Sequence, residues 1–166
     1  MSATERAAYV ALGANLDDPA AQIDAALAAL AALPDTRLVA RSRLYRTPAW
    51  GPVVQPDYLN AVAELATDLA PRALLDALLA IERALGRDRR GERYGPRRID
   101  LDLLVHGDAR IDEPGLALPH PRLAERAFVL VPLAEIAPAL EVPGLGRVDA
   151  LLAALDAKQR SGVRAL

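Results

Sequence analysis

Two aspartates one residue apart, Asp100 and Asp102, carry the sharpest chemical signal in the chain. Alternate side chains of an extended strand share a face. Residues 99–105 therefore place both carboxylates on one side and Ile99, Leu101, Leu103 and Val105 on the other. Neighbouring carboxylates repel and resist ionising together unless a cation lies between or beside them. Their hard oxygen atoms suit Mg2+, which takes one or two protein carboxylates and completes its shell with substrate phosphates. Alone, such a pair is more often a solvated surface feature than a metal site, so its neighbours decide. Just upstream, Arg83, Arg87, Arg89, Arg90, Arg93, Arg97 and Arg98 put seven arginines into residues 83–98. Planar guanidinium groups bind phosphate oxygens bidentately. The plainer reading is a charged helix end and loop balanced by Glu82, Asp88 and Glu92. A glycine-bearing, cation-rich loop that runs into two carboxylates is nonetheless what a Mg-bound polyphosphate requires.

The common phosphate-binding loops do not fit. The single lysine, Lys158, stands in Ala-Lys-Gln rather than Gly-Lys-Ser/Thr, and Gly144-Leu-Gly146 lacks the third glycine of a dinucleotide fingerprint. A phosphate cradle here has to be built from arginine. Tyr58 and Asn60 share a strand face after a proline-rich turn that carries Trp50. An aromatic ring beside an amide suits a flat heterocycle with amide-like edges, although a rim tyrosine is the ordinary alternative. His120, held between Pro119 and Pro121, either contacts a phosphate or caps the short helix that follows. Phe128 reads as a core residue and Glu82 as an ordinary helix-surface residue.

These groups need a scaffold, and hydropathy patterning supplies one. Residues 7–12 form a short apolar run ending at Gly13, read as a buried strand. Asp18-Pro19 starts a helix whose apolar face is Ile23, Leu27 and Leu30. Residues 36–47 alternate as one strand, with Tyr45 on the wetter face beside Arg43, and residues 58–65 form another. Pro71 opens a second helix marked by Leu74, Leu78, Ile81 and Leu85, with Gly86 as its stop. Residues 99–105 close a β-α-β-β-α-β order, so the expected fold is α+β: a ferredoxin-like split βαβ sandwich, an antiparallel-rich sheet with helices packed on its faces. Beyond it, residues 116–118 and 128–130 read as edge strands, and residues 132–137 and 149–155 as helical.

Composition bounds the function. A chain of 166 residues suits a single compact domain spanning 1–166. A formal charge of −2 weakens a nucleic-acid-binding role. Absent cysteines exclude disulfides and thiolate metal sites. No apolar run approaches the ~18 residues of a membrane span and residues 1–8 carry no apolar leader, so a cytoplasmic monomer without membrane or nucleic-acid partners is expected.

The segments Tyr9-Val-Ala-Leu-Gly-Ala-Asn15, Tyr45-Arg-Thr-Pro48, Gln55-Pro-Asp-Tyr-Leu-Asn60, Gly86-Arg87, Arg93-Tyr-Gly-Pro-Arg97, Asp100-Leu-Asp102, Leu118-Pro-His120 and Arg126-Ala-Phe128 follow one another in order. Together they resemble the 6-hydroxymethyl-7,8-dihydropterin pyrophosphokinase family of folate biosynthesis, across roughly residues 7–140. The resemblance implies transfer of the β,γ-diphosphate of ATP to the pterin hydroxymethyl oxygen, releasing AMP, with two Mg2+ ions held by Asp100 and Asp102. It implies a pterin pocket of Thr47, Pro48, Trp50, Tyr58, Asn60 and Phe128, with Tyr58 and Phe128 sandwiching the ring and Tyr94 as an aromatic lid. It assigns Glu82, Arg87, Arg89, Arg97, His120 and Arg126 to ATP, with Arg87 and Arg89 in a closing loop and Arg97 also reaching toward the pterin. Tyr94 stands where many members carry tryptophan, and Gly115 and Ala117 where one branch carries lysine and threonine. The competing reading is a non-catalytic ferredoxin-like module that binds a small regulatory ligand. In a chain with six aromatic residues, Trp50, Tyr58, Tyr94 and Phe128 are expected to converge on the Asp100/Asp102 face.

Overall fold

A computed structural model describes residues 4–49, 51–52, 54–86 and 99–166. In chain order the elements are β1 (Arg6–Ala14), α1 (Pro19–Ala31), β2 (Thr36–Arg41), β3 (Tyr45–Thr47), β4 (Tyr58–Thr67), α2 (Pro71–Ala84) and β5 (Asp100–His106). There follow a hairpin of β6 (Ile111–Glu113) and β7 (Leu116–Leu118), then α3 (Ala127–Ile136). A second hairpin, β8 (Glu141–Val142) and β9 (Gly146–Arg147), leads to α4 (Val148–Ala154), α5 (Ala157–Ser161) and β10 (Arg164–Ala165).

The main sheet runs β10-β3-β4-β1-β5, with β2 also paired to β4, and every pairing in it is antiparallel. Counted as one interrupted strand, β2 and β3 complete the ferredoxin-like arrangement of the split βαβ unit. Its first face carries Val10, Leu12, Leu59, Ala61, Ala63, Leu65, Leu101 and Leu103 onto α1 and α2. Helix α2 contributes Leu74, Leu78 and Ile81 at helical spacing, each worth roughly 1.5–3 kcal/mol on full burial. The predicted start of α1 and the predicted start and stop of α2 match the structure. The Asp18 carboxylate accepts from the Ala21 amide, and Gly86 ends α2 in the left-handed region (φ 92°). The second face carries Tyr9, Val62, Leu104 and Val105 onto α3 and α4.

Three expectations change. Residues 36–47 are two strands. Ser42 takes the Val62 amide on its hydroxyl and donates its own amide to the Val62 carbonyl, interrupting the run. Past this break the phase reverses: Tyr45 and Thr47 are buried and Arg46 is exposed. A one-residue slip sends each later side chain to the opposite face. The reversed segment is fastened by Glu135 of α3, which accepts from the Arg43 amide (3.1 Å) and the Tyr45 hydroxyl (2.5 Å). Second, Val105 does not share a face with Leu101 and Leu103. The β1–β5 register shifts between Tyr9 and Val10, leaving Leu104 unpaired and turning Val105 into the second-face cluster. Third, residues 128–130 are helical rather than an edge strand, because α3 spans the whole apolar run. A short continuous apolar run has no period by which strand and helix differ.

Candidate active site

At one end of the sheet, three strands bring the two candidate halves into register. Gly13 of β1 pairs with Asn60 of β4 on one side and with Asp100 of β5 on the other. Directly paired residues of an antiparallel sheet share a face, so Asn60 and Asp100 flank a position that has no side chain. Two strand spacings separate their backbones, roughly 10 Å. One step along, Asp102 pairs with Ala11 on the same face. Alternation along β4 adds Tyr58 to this face. A methyl group at Gly13 would stand 3.2 Å from Asn60 Oδ1 and 4.0 Å from Tyr58 Cδ1, so the amide and the ring both lean over the glycine. The glycine keeps the position between the aromatic-amide wall and the carboxylates clear of a side chain.

The wall is internally braced. Asn60 is buried and its Nδ2 donates to Thr47 Oγ1 at 2.8 Å. This leaves its carbonyl oxygen turned toward Gly13. Asn15, just past β1, is also buried; its Nδ2 donates to Gln55 Oε1 (2.8 Å) and to the Pro56 carbonyl (3.0 Å). It ties the proline-rich turn to the end of β1. Sequence reasoning gave neither Gly13 nor Asn15 a role. The available signal was a small residue and a turn-forming amide directly after a buried strand. Pro48 is exposed beside the wall.

On the carboxylate side, Asp102 keeps 45% of its side-chain surface exposed, so a ligand can reach it. Arg126, at the start of α3, approaches Asp102 Oδ2 to 3.9 Å, and its guanidinium lies 5.5 Å from the centroid of Phe128. Burial draws the Arg126 pKa down, with Asp102 opposing that shift. Phe128 is only partly buried at the rim of the second-face cluster, not in the core, so its ring is available to a ligand. Tyr58 and Phe128 both lie on the Asp100/Asp102 face, as expected of the rings. Trp50, Tyr94, Arg87, Arg89 and Arg97 lie outside the described residues.

Of the two alternative roles of His120, the structure shows the cap. Its backbone amide donates to the Leu104 carbonyl of β5, and its Nδ1 accepts from the Arg122 amide at 3.1 Å, shaping the 3-10 turn Leu123–Glu125. Burial, followed by the charges of Arg126 and Arg122, lowers its pKa from 6.5 to about 4. The ring is therefore neutral near pH 7, with its proton on Nε2, and presents a hydrogen-bond donor rather than a charge.

Glu82 is not on the helix surface. It is 2% exposed, and its Oε2 accepts from the Leu101 amide at 2.8 Å, between the two aspartates. At the β6–β7 turn, Gly115 has a nearby cation, Arg72, bound to Glu113 Oε1 (2.7 Å) and the Pro114 carbonyl. Arg110, the last residue before β6, lies against Gly144 of the second hairpin.

The donor set fits Mg2+. It consists of two carboxylates on one face of β5, at least one of them solvent-accessible, with an arginine close by. Among the described residues no third His, Cys, Asp or Glu joins them. Water and phosphate oxygens would complete the shell of an ion held there.

By fold this is a ferredoxin-like α+β protein, and solved structures agree. An HPPK-DHPS crystal structure in complex with substrates matches with a TM-score of 0.70 at 12% identity, over 90% of this chain and 43% of that one. Wild-type Plasmodium falciparum HPPK-DHPS matches with a TM-score of 0.69 at 14% identity, over 90% and 41%. The chain thus spans less than half the length of those solved chains. Sequence resolves the family. The model of 7,8-dihydro-6-hydroxymethylpterin-pyrophosphokinase matches residues 9–138. The 2-amino-4-hydroxy-6-hydroxymethyldihydropteridine pyrophosphokinase of Pseudomonas aeruginosa is 53% identical over 146 residues, 88% of this chain and 90% of that protein. Its counterpart in Methylorubrum extorquens is 50% identical over 149 residues, covering 90% and 93%. The chain belongs to the 7,8-dihydro-6-hydroxymethylpterin-pyrophosphokinase family. Among the described residues no helix is long and apolar enough to cross a membrane.

Proposed function

We propose that Asp100 and Asp102 serve this family's reaction by holding Mg2+, two ions in all, against the diphosphate of ATP. ATP is the co-substrate, and the enzyme transfers its β,γ-diphosphate to the hydroxymethyl group of 6-hydroxymethyl-7,8-dihydropterin, in folate biosynthesis. The hydroxymethyl oxygen attacks the β-phosphorus and the bond from that phosphorus to the α,β-bridging oxygen breaks. AMP leaves with that oxygen and the hydroxyl proton passes to water. Bound Mg2+ supplies charge neutralisation on the polyphosphate and lowers the pKa of an alcohol.

The observation that carries this reading is the row Asn60–Gly13–Asp100. It puts an amide-aromatic wall and a carboxylate pair on one face, which supports a heterocycle and a polyphosphate meeting there. Thr47 orients the Asn60 amide, and Tyr58 and Phe128 hold the pterin ring, with Pro48, Trp50 and Tyr94 completing the pocket. Arg126, His120, Arg87, Arg89 and Arg97 bind ATP. Reactions of this kind depend on in-line placement and electrostatic stabilisation rather than covalent catalysis, which is why cations and positioning groups dominate the site. Residues 1–166 act as one catalytic domain, as a monomer in the cytoplasm. The direct test is product analysis. Mg-ATP incubated with the protein should give AMP only when hydroxymethyldihydropterin is present. ADP as the product, or AMP formation independent of the pterin, contradicts the reading.

A further inference from the structure

Among the described residues β5 is an edge of the main sheet, and Asp100 and Asp102 project from it. The Leu101 amide between them faces away from β1 and is received by Glu82 Oε2 at 2.8 Å. A helix side chain thus takes up a backbone donor at the point where two like-charged side chains leave the backbone. The choice of glutamate at this position runs against local preference. Glu82 is 2% exposed, where burial of a carboxylate is costly. It lies in the last turn of α2, where the helix dipole disfavours negative charge. The adjacent positions on the same helix face, Leu74, Leu78 and Ile81, are apolar.

We infer that Glu82 is a positioning residue for the Asp100/Asp102 pair, acting through the Leu101 amide rather than by contact with ATP. It fixes the β5 edge so that both carboxylates leave the strand at a set spacing before a cation arrives. The inference rests on the proposal that these aspartates hold Mg2+.

The test compares Glu82→Gln, which keeps an acceptor for the Leu101 amide, with Glu82→Met, which fills the site without one. In metal-free protein, the Leu101 amide should exchange with deuterium at the wild-type rate in the glutamine variant and faster in the methionine variant. Mn2+ binding is then read by paramagnetic resonance in the presence of an uncleavable ATP analogue. The methionine variant should need about 10–100-fold more Mn2+ for half-saturation, the usual loss when a group that orients a metal ligand is removed. Its kcat should fall with little change in pterin KM, and the glutamine variant should stay close to wild type. Should the methionine protein not fold, Glu82→Asp withdraws the acceptor by one methylene and makes the same comparison. Unchanged Mn2+ affinity in the variant lacking the acceptor overturns the inference. So does a matching rise in ATP KM in the glutamine and methionine variants with Leu101 exchange unaltered. Asp102→Asn separates the two claims. If it binds Mn2+ as the wild type does, the metal assignment itself fails; if it is impaired while Glu82→Met is not, only the role of Glu82 fails.

Discussion

Asn60 donates its side-chain amide to Thr47 Oγ1 across the β3–β4 pair, at 2.8 Å and away from solvent. This one bond decides which end of the amide faces the site. With Nδ2 committed to Thr47, Oδ1 is presented over Gly13, where an N–H at a pterin edge could donate to it. Thr47→Val preserves shape and removes the acceptor. A buried amide left unmatched costs about 1–3 kcal/mol, so the pterin KM should rise by about tenfold or more while ATP KM stays put. Thr47→Ser should restore the wild-type value. Steady-state kinetics in each substrate checks this.

Gly13 is needed for space rather than for its backbone conformation, since it does not lie in the left-handed region. A Cβ at this position comes within 3.2 Å of Asn60 Oδ1, close enough to push the amide aside by a few tenths of an ångström. Gly13→Ala should therefore raise pterin KM several-fold with little change in Tm. Titrating the pterin by fluorescence against both proteins, with thermal melts alongside, reads the two effects separately.

His120 makes folding stability depend on pH in one direction. Its folded pKa, lowered to about 4 by burial and then by Arg126 and Arg122, lies below the 6.5 of the unfolded chain. Above pH 6.5 both states carry a neutral ring and the stabilisation is complete. As pH falls from 6.5 toward 4, the unfolded chain takes up a proton that the folded protein refuses, and stability is lost. Urea denaturation of wild type and His120→Asn at several pH values should give a stability difference that shrinks across that window. A pH-independent difference would contradict the neutral, buried assignment.

Much of this could be read from the chain, because strand alternation and helix stops are local. Asp100 and Asp102 on one face, Pro71 and Gly86 at the limits of α2, and the shared face of Tyr58 and Asn60 all follow from spacing within a single element. The misreadings came from pairing between elements. The Ser42 break and the unpaired Leu104 each reverse a strand's phase, and neither is visible until the partner strand is placed. Glu82 is harder still. A single glutamate on an amphipathic helix reads as solvent-facing, and only the docking of α2 beside the β5 edge shows that it is buried against Leu101. Phe128 was misread as core for the complementary reason, since a first-turn helix residue can sit at the rim of an apolar cluster.

The account stands most directly on the carboxylate pair. AMP release from Mg-ATP and hydroxymethyldihydropterin, measured for wild type, Asp100→Asn and Asp102→Asn at matched folded concentration, tests it in one experiment. Each asparagine protein should keep its Tm, because the change is isosteric at partly exposed positions, and should lose on the order of 10²-fold or more in turnover, the loss typical of a deleted electrostatic group at a reacting centre. Turnover near the wild-type value in both variants would contradict the assignment of Asp100 and Asp102 to the metal.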